Sequence, residues 1–248
     1  MPQLKAYHRP ETVADALELL NREGVHTTVL AGGTRLVPTL AAESEEVVDL
    51  QATGLDQIEK SGDRLLLGAM VRLQAIVENE KLPALLRESA RRAGPNTFRN
   101  QETAGGTIVT AGPESEFLAA LLVYQAEVTI QTRAATQILP LADFFHDVNA
   151  GLQGGLLTSV SLVTGGETAH ERVARTPEDS PIVAAVARRA ASDTYLALCG
   201  VAPTPILVSY DELDILDPPA DFRGSSDYRK EMARILTARV MRELEIGD

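Results

Sequence analysis

Apolar residues recur with two different periods along the first fifty residues of the chain. Between residues 13 and 20 they follow the i, i+3, i+4, i+7 spacing of one helix face. Thr12, followed three residues later by Asp15, has the pattern of an N-cap, which predicts that the helix begins at Val13. Short apolar runs at residues 28–30 and 47–50 predict strands. These elements together predict a small α/β unit.

The same two periods continue through the rest of the chain and predict a mixture of helices and strands. Strands are expected at residues 65–69, 128–132 and 156–163. Helices are expected at residues 71–78, at 82–93, after Pro113, and from about Ser225 to the end. The apolar segments 182–191 and 195–198 do not show which type of element they form.

A glycine-rich break at residues 151–155 marks the candidate domain boundary. We therefore predict one domain over residues 1–153 and a second over residues 154–248. The first domain is expected to contain two subdomains, at about residues 1–54 and 55–153. The Gly165-Gly166 pair that follows the strand at 156–163 is interpreted as a plain turn.

Composition and charge exclude several classes of function. A net charge of −12 argues against a nucleic-acid partner, because duplex binding needs clustered Lys and Arg. The single cysteine, Cys199, excludes an internal disulfide and an iron–sulfur cluster held by this chain alone, and is expected in the core. No apolar run approaches the roughly 20 residues of a membrane helix. The N-terminus lacks a signal-peptide pattern, which predicts a cytoplasmic protein.

No arrangement of residues in the sequence predicts acid–base, nucleophilic or metal chemistry. The four histidines are scattered singly, without the spacing of a metal site or of a catalytic triad. Glu114 and Glu116 lie on the turn that enters a predicted helix, where carboxylates commonly stabilise the N-terminus. We therefore expect no catalytic residue and no metal ligand.

Two Gly-Gly-Thr stretches are the strongest candidates for a binding site. We call residues 29–36, which contain Gly32-Gly33-Thr34, the first glycine segment, and residues 99–108, which contain Gly105-Gly106-Thr107, the second. Adjacent glycines permit positive φ and close backbone approach, and consecutive N–H groups favour an anion such as phosphate. One such stretch alone is most simply a turn. Two of them could hold a pyrophosphate from both sides, which indicates a dinucleotide.

At these stretches the sequence resembles the flavin-binding medium subunits of molybdenum hydroxylases, such as those of aerobic carbon monoxide dehydrogenase and the FAD domain of xanthine dehydrogenase. Residues 31–36 are similar to the family motif A-G-G-T-D-L or A-G-G-H-S-L, and residues 99–108 to R-N-x-A-T-I-G-G-N-I. Residues 7–13, 67–71 and 221–229 also resemble family segments. The resemblance therefore covers nearly the whole chain.

The resemblance implies a fold, a cofactor and partners. The fold would be α+β, with a two-subdomain FAD-binding domain of the vanillyl-alcohol oxidase and p-cresol methylhydroxylase type and a small α+β C-terminal domain. The cofactor would be FAD, and the partners an iron–sulfur small subunit and a molybdopterin large subunit. The chain would pass electrons from iron–sulfur centres through FAD to an external acceptor.

The resemblance also implies which residues contact FAD. The first phosphate loop would consist of Val29, Leu30, Ala31, Gly32, Gly33, Thr34, Arg35 and Leu36, and the second of Thr103, Gly105, Gly106 and Thr107. Glu116 stands where the family usually has Asp, toward the nucleotide end of FAD. Arg172 falls near a family Lys beside the flavin.

Four residues depart from the family pattern within the two segments. Arg35 replaces Asp, Glu102 replaces Ala, Ala104 replaces Ile or Val, and Thr107 replaces Asn. The chain is also shorter than typical members. These departures motivate an alternative, a degenerate member without FAD that acts as a scaffold subunit. A stand-alone flavin reductase is the third reading.

Overall fold

The computed structural model describes residues 4–39 and 46–246 and divides the chain into two compact units. Unit 1 comprises Met1–Ala75, Asn96–Val109 and Glu127–Ser161, and unit 2 comprises Ile76–Pro95, Thr110–Ala126 and Leu162–Asp248. Each unit is thus assembled from three stretches of the chain. The domain boundary after residue 153 stays a prediction.

A small parallel sheet and one helix form the N-terminal part of unit 1. The strands are β1 (Ala6–His8), β2 (Thr27–Leu30) and β3 (Glu46–Asp49), in the order β1-β3-β2. Helix α1 (Val13–Leu20) begins where the sequence predicts, because the Thr12 side chain accepts the N–H of Asp15. Its buried residues Ala16 and Leu17 pack in one cluster with Val48. The short helix α2 (Leu36–Thr39) follows the first glycine segment.

A five-stranded sheet forms most of the remainder of unit 1. Its strands are β4 (Ile58–Ser61), β5 (Arg64–Gly68), β6 (Glu127–Gln131), β7 (Thr136–Pro140) and β8 (Leu156–Val163), in the order β4-β5-β8-β6-β7. The strands predicted near residues 65, 128 and 156 are confirmed. The helices that precede β8 along the chain are α3 (Leu73–Glu78), α4 (Ala84–Arg92), α5 (Asn96–Arg99), α6 (Ala104–Thr110), α7 (Glu116–Val123), α8 (Leu141–Phe144) and α9 (Val148–Leu152), and of these α4 and α7 belong to unit 2.

An antiparallel sheet covered by a long helix dominates unit 2. The strands β9 (Glu167–Val173), β10 (Val183–Ala190), β11 (Asp193–Cys199) and β12 (Ile206–Leu207) lie in the order β12-β11-β10-β9. The two segments whose type the sequence left open are therefore β10 and β11. Helix α10 (Ser226–Ile246) packs its buried residues against this sheet, and these are Ala233, Leu236, Val240 and Leu244. Cys199 is fully buried, as expected.

Short 3-10 helices occur at Leu50–Ala52 and Tyr210–Asp214. Gly165 and Gly166 both have positive φ in the turn between β8 and β9, which confirms the interpretation of this pair as a turn. Within the described part of the chain, no helix is both long enough and apolar enough to cross a membrane.

Candidate functional site

The first glycine segment connects β2 to α2 and contains backbone donors that find no acceptor among the described residues. Val29 and Leu30 end the strand, and Leu36 begins the helix. Gly33 lies in the left-handed region at φ 74°, and its carbonyl accepts the N–H of Val37 at 3.1 Å. Within residues 4–39 and 46–246, no acceptor is found for the N–H of Gly32, Gly33 or Thr34. Consecutive unpaired N–H groups at such a turn form a concavity that suits an anion.

The second glycine segment differs, because its backbone donors are already used inside the protein. Gly105 and Gly106 lie in the first turn of α6 rather than in a turn between elements. The N–H groups of Ala104 and Gly105 donate to the carbonyls of Val71 and Ala69, both at 2.8 Å. The N–H of Gly106 donates to Thr103 Oγ1 at 3.1 Å. The expectation of bare N–H groups therefore fits the first segment and is wrong for these three residues of the second.

The two segments pack directly against each other through Gly32. A Cβ placed on Gly32 would lie 1.9 Å from the carbonyl oxygen of Gln101 and 3.2 Å from the Cα of Glu102. Gly105 is enclosed in the same way, since its Cβ would lie 2.9 Å from the carbonyl oxygen of Ala69. Real Cβ atoms do not approach backbone this closely, so both positions need glycine for packing within unit 1. The sequence alone does not distinguish a glycine that is required by packing from a glycine that is required by the close approach of a ligand.

Two residues that depart from the family pattern, Arg35 and Glu102, interact electrostatically near this contact. Glu102 is only 4% exposed, and burial raises the pKa of its carboxyl group. The positive charge of Arg35 and a hydrogen bond with Thr107 oppose that rise in pKa. The Arg35 guanidinium also lies 6.0 Å from the centroid of the Phe98 ring. The sequence showed both substitutions but not this interaction.

The remaining two predicted site residues, Glu116 and Arg172, contact each other within unit 2. Glu116 begins α7 behind the N-cap Ser115, and its side chain is 3% exposed. Its Oε1 lies 2.6 Å from His170 Nε2, 3.3 Å from Arg172 Nε and 3.5 Å from Arg92 Nη1. His170, which the sequence showed only as an isolated histidine, is therefore part of this cluster. Its separation of 54 residues from Glu116 left no signal in the sequence.

The chemistry that these groups support is anion binding. The first glycine segment combines unpaired N–H donors with the cation of Arg35, and the buried Thr103 and Thr107 lie at the start of α6. Among the described residues, no group of three or more His, Cys, Asp or Glu side chains is arranged to hold a metal ion. The donor set therefore fits a phosphate-bearing cofactor.

Comparisons with known proteins agree with this assignment. The family model described as "FAD binding domain in molybdopterin dehydrogenase" matches residues 2–162. The chain is 26% identical to the glyceraldehyde dehydrogenase medium chain of Sulfolobus acidocaldarius over 96% of this chain and 98% of that protein. It is 27% identical to the carbon monoxide dehydrogenase medium chain of Afipia carboxidovorans over 95% of this chain and 94% of that protein.

A solved structure supports the same relationship. A chain of reconstituted CO dehydrogenase from Oligotropha carboxidovorans matches with a TM-score of 0.82 and 26% identity, over 98% of both chains. The α+β fold implied by the sequence resemblance is therefore confirmed.

Proposed function

This chain belongs to the family of FAD binding domains in molybdopterin dehydrogenases, and we propose that its first glycine segment holds the pyrophosphate of FAD. The protein is the FAD-binding, electron-transferring subunit of a molybdenum-dependent dehydrogenase. FAD, when bound, supplies the ability to accept and release electrons. The unpaired N–H groups of Gly32, Gly33 and Thr34 are the observation that carries the proposal for the pyrophosphate.

The two glycine segments have different roles in this proposal. The first donates hydrogen bonds to the pyrophosphate through its backbone, and Arg35 adds a positive charge. The second segment packs against the first, because the Gln101 carbonyl lies next to Gly32. Thr103, Gly105, Gly106 and Thr107 then act mainly by holding α6 in place. Contacts of Glu116 with the nucleotide end and of Arg172 with the flavin remain proposals.

The partners are proposed from the names of the relatives. Medium chains of a glyceraldehyde dehydrogenase and of a carbon monoxide dehydrogenase are subunits of larger enzymes. We propose that an iron–sulfur small subunit delivers electrons to this chain and that a molybdopterin large subunit oxidises the substrate. The cytoplasmic location and the division into domains 1–153 and 154–248 stay predictions.

Two of the four departures from the family pattern, Ala104 and Thr107, do not favour the scaffold alternative. Thr107 and Ala104 lie in α6, where the backbone donors are already paired inside the protein. The unpaired donors of the first segment do not depend on either side chain.

A carboxylate introduced at Thr34 tests the proposed pyrophosphate site. In Thr34→Glu the new charge stands beside the unpaired N–H groups, and we expect FAD affinity to fall at least about ten-fold by repulsion of the phosphates. Thr136→Glu makes the same change at an exposed residue of β7, in a different sheet, and should leave the affinity unchanged. Titration of FAD fluorescence against the purified chain measures both variants.

The possible outcomes distinguish an error in the binding site from an error in the cofactor. A wild-type chain that neither binds FAD nor melts at a higher temperature with FAD present would overturn the assignment of the cofactor. Equal affinity of Thr34→Glu and wild type would overturn the first glycine segment as its site. Valine at Gly32 or Gly105 is a poorer test, because the side chain would strike protein backbone whether or not FAD binds.

A further inference from the structure

Unit 1 contains an open cavity that neither glycine segment lines. Its volume is about 880 Å³, within the range of about 300–1,000 Å³ that small-molecule sites occupy. The cavity is lined by the end of β1 and the two residues after it, by α1 and the residues that follow it, and by Arg133 in the turn between β6 and β7. Among the described residues, those that line it are all different from the residues assigned to FAD.

Three arginines from three separate elements line this cavity, and two of them lack a partner. Arg22, after α1, is already used, since its Nε donates to Leu19 O at 3.1 Å and its Nη2 pairs with Glu46. Arg9, after β1, and Arg133 are exposed, and in the part of the chain that the structure describes neither makes a hydrogen bond or an ion pair. Both guanidinium groups can therefore bind an anion without breaking an existing contact.

The backbone that carries the two unpaired arginines is held in place. In the turn between β6 and β7, the N–H of Thr132 donates to Ala135 O at 2.9 Å, and Thr132 Oγ1 accepts the N–H of Ala135 at 3.0 Å. Arg9 directly follows His8, whose Nε2 lies 2.6 Å from Glu46 Oε2. A ligand would therefore have to order side chains only, which lowers the entropic cost of binding.

The other lining groups restrict the kind of anion that fits. The hydroxyl group of Tyr7 donates to the buried Asp49, so the ring is anchored at one end while 54% of the residue is exposed. Asp15 and Glu18 of α1 add two carboxylates, which accept hydroxyl groups and repel additional negative charge. The lining therefore suits a ligand with one anionic group, hydroxyl groups and a ring, rather than a polyanion.

We propose that this cavity binds a nucleoside monophosphate. Its phosphate pairs with the guanidinium groups of Arg9 and Arg133, its ribose hydroxyl groups donate to the carboxylates of α1, and its base packs against the ring of Tyr7. The inference does not rest on the proposed function, because it uses none of the residues assigned to FAD. The nucleotide binds in addition to FAD and does not replace it.

Calorimetric titration of the full chain with AMP, in the absence of FAD and with FAD at saturation, tests the inference. We expect the same AMP affinity in both conditions, and affinities at least about ten-fold lower for adenosine and for inorganic phosphate. Arg9→Gln and Arg133→Gln should each lower the AMP affinity at least about five-fold, because a charge-assisted contact is lost. Arg64→Gln is the matched control, since this arginine of unit 1 lies outside the cavity, is 63% exposed and should leave the affinity unchanged.

Several results would overturn the inference and leave the proposed function intact. One is a wild-type chain that shows no AMP binding up to about 1 mM. Another is a double variant, Arg9→Gln with Arg133→Gln, that melts like wild type and binds AMP with wild-type affinity. Loss of AMP binding at saturating FAD would place the nucleotide in the FAD site, and inorganic phosphate that binds as tightly as AMP would exclude a nucleoside ligand. Failure to bind FAD alone concerns only the proposed function.

Discussion

Replacing Gly32 by alanine is expected to prevent unit 1 from folding, or to lower its free energy of unfolding by more than about 4 kcal/mol. The added Cβ would lie 1.9 Å from the carbonyl oxygen of Gln101 and 2.7 Å from its carbonyl carbon. These atoms belong to backbone that leads into α6, so they cannot rotate away as the end of a flexible side chain could. Thermal or chemical denaturation without FAD measures the effect.

Gly112→Ala is the matched control for this substitution. No heavy atom lies within 4 Å of a Cβ placed at Gly112, and its φ is not in the left-handed region. Its free energy of unfolding should therefore stay within about 0.5 kcal/mol of wild type. If Gly32→Ala were as stable as Gly112→Ala, the two glycine segments could not be packed as described.

Replacing Arg188 by alanine is expected to destabilise unit 2 by about 3–5 kcal/mol. This arginine is 2% exposed and lies in β10. Its Nε donates to the carbonyl of Gly165 at 2.7 Å and its Nη1 to the carbonyl of Val123 at 3.3 Å. The guanidinium carbon also lies 5.3 Å from the ring centroid of Tyr124 and 5.8 Å from that of Tyr195. Alanine would leave a cavity and remove the donors to both carbonyls.

Arg189→Ala makes the same change at the next residue of the same strand. Arg189 Nη2 pairs with Glu167 at 2.6 Å, and the Glu167 side chain is 53% exposed. Partly exposed ion pairs contribute little, so this variant should lose no more than about 1 kcal/mol. Comparison of the two melting curves checks the prediction. Similar losses in both variants would mean that the hydrogen bonds from Arg188 to the turn at Gly165 and to the end of α7 contribute little to the stability of unit 2.

The sequence predicted secondary structure best where one face of an element is buried. Helix α1 carries both an apolar face and a side-chain cap, so its start at Val13 could be located. In β10, residues 183–187 are all buried, and a run without alternation does not distinguish a strand from a buried helix. The type of that element could be determined only from its pairing with β9 and β11.

The candidate site was predicted in part for a similar reason. The first glycine segment follows a recognisable strand, and its residues resemble a family motif. In the second segment, the N–H groups of Ala104 and Gly105 donate to the carbonyls of Val71 and Ala69, more than thirty residues earlier in the chain. No local pattern could show this. Arg188 is a charged residue that the pattern would place at the surface, yet its partners come from Val123 and Gly165.

By itself, the sequence determined the family and the cofactor, through a resemblance carried by residue types in a short order, and it pointed to the glycine segment proposed to hold the pyrophosphate. Only the tertiary structure decided which N–H groups of the two glycine segments remain unpaired and which glycines are required by packing. It also placed the charge of Arg35 within electrostatic range of the buried Glu102. The physical reason is that the partners of a backbone donor or of a buried charge are the groups that the fold brings near it. Those groups are distant in the chain, so no local pattern identifies them.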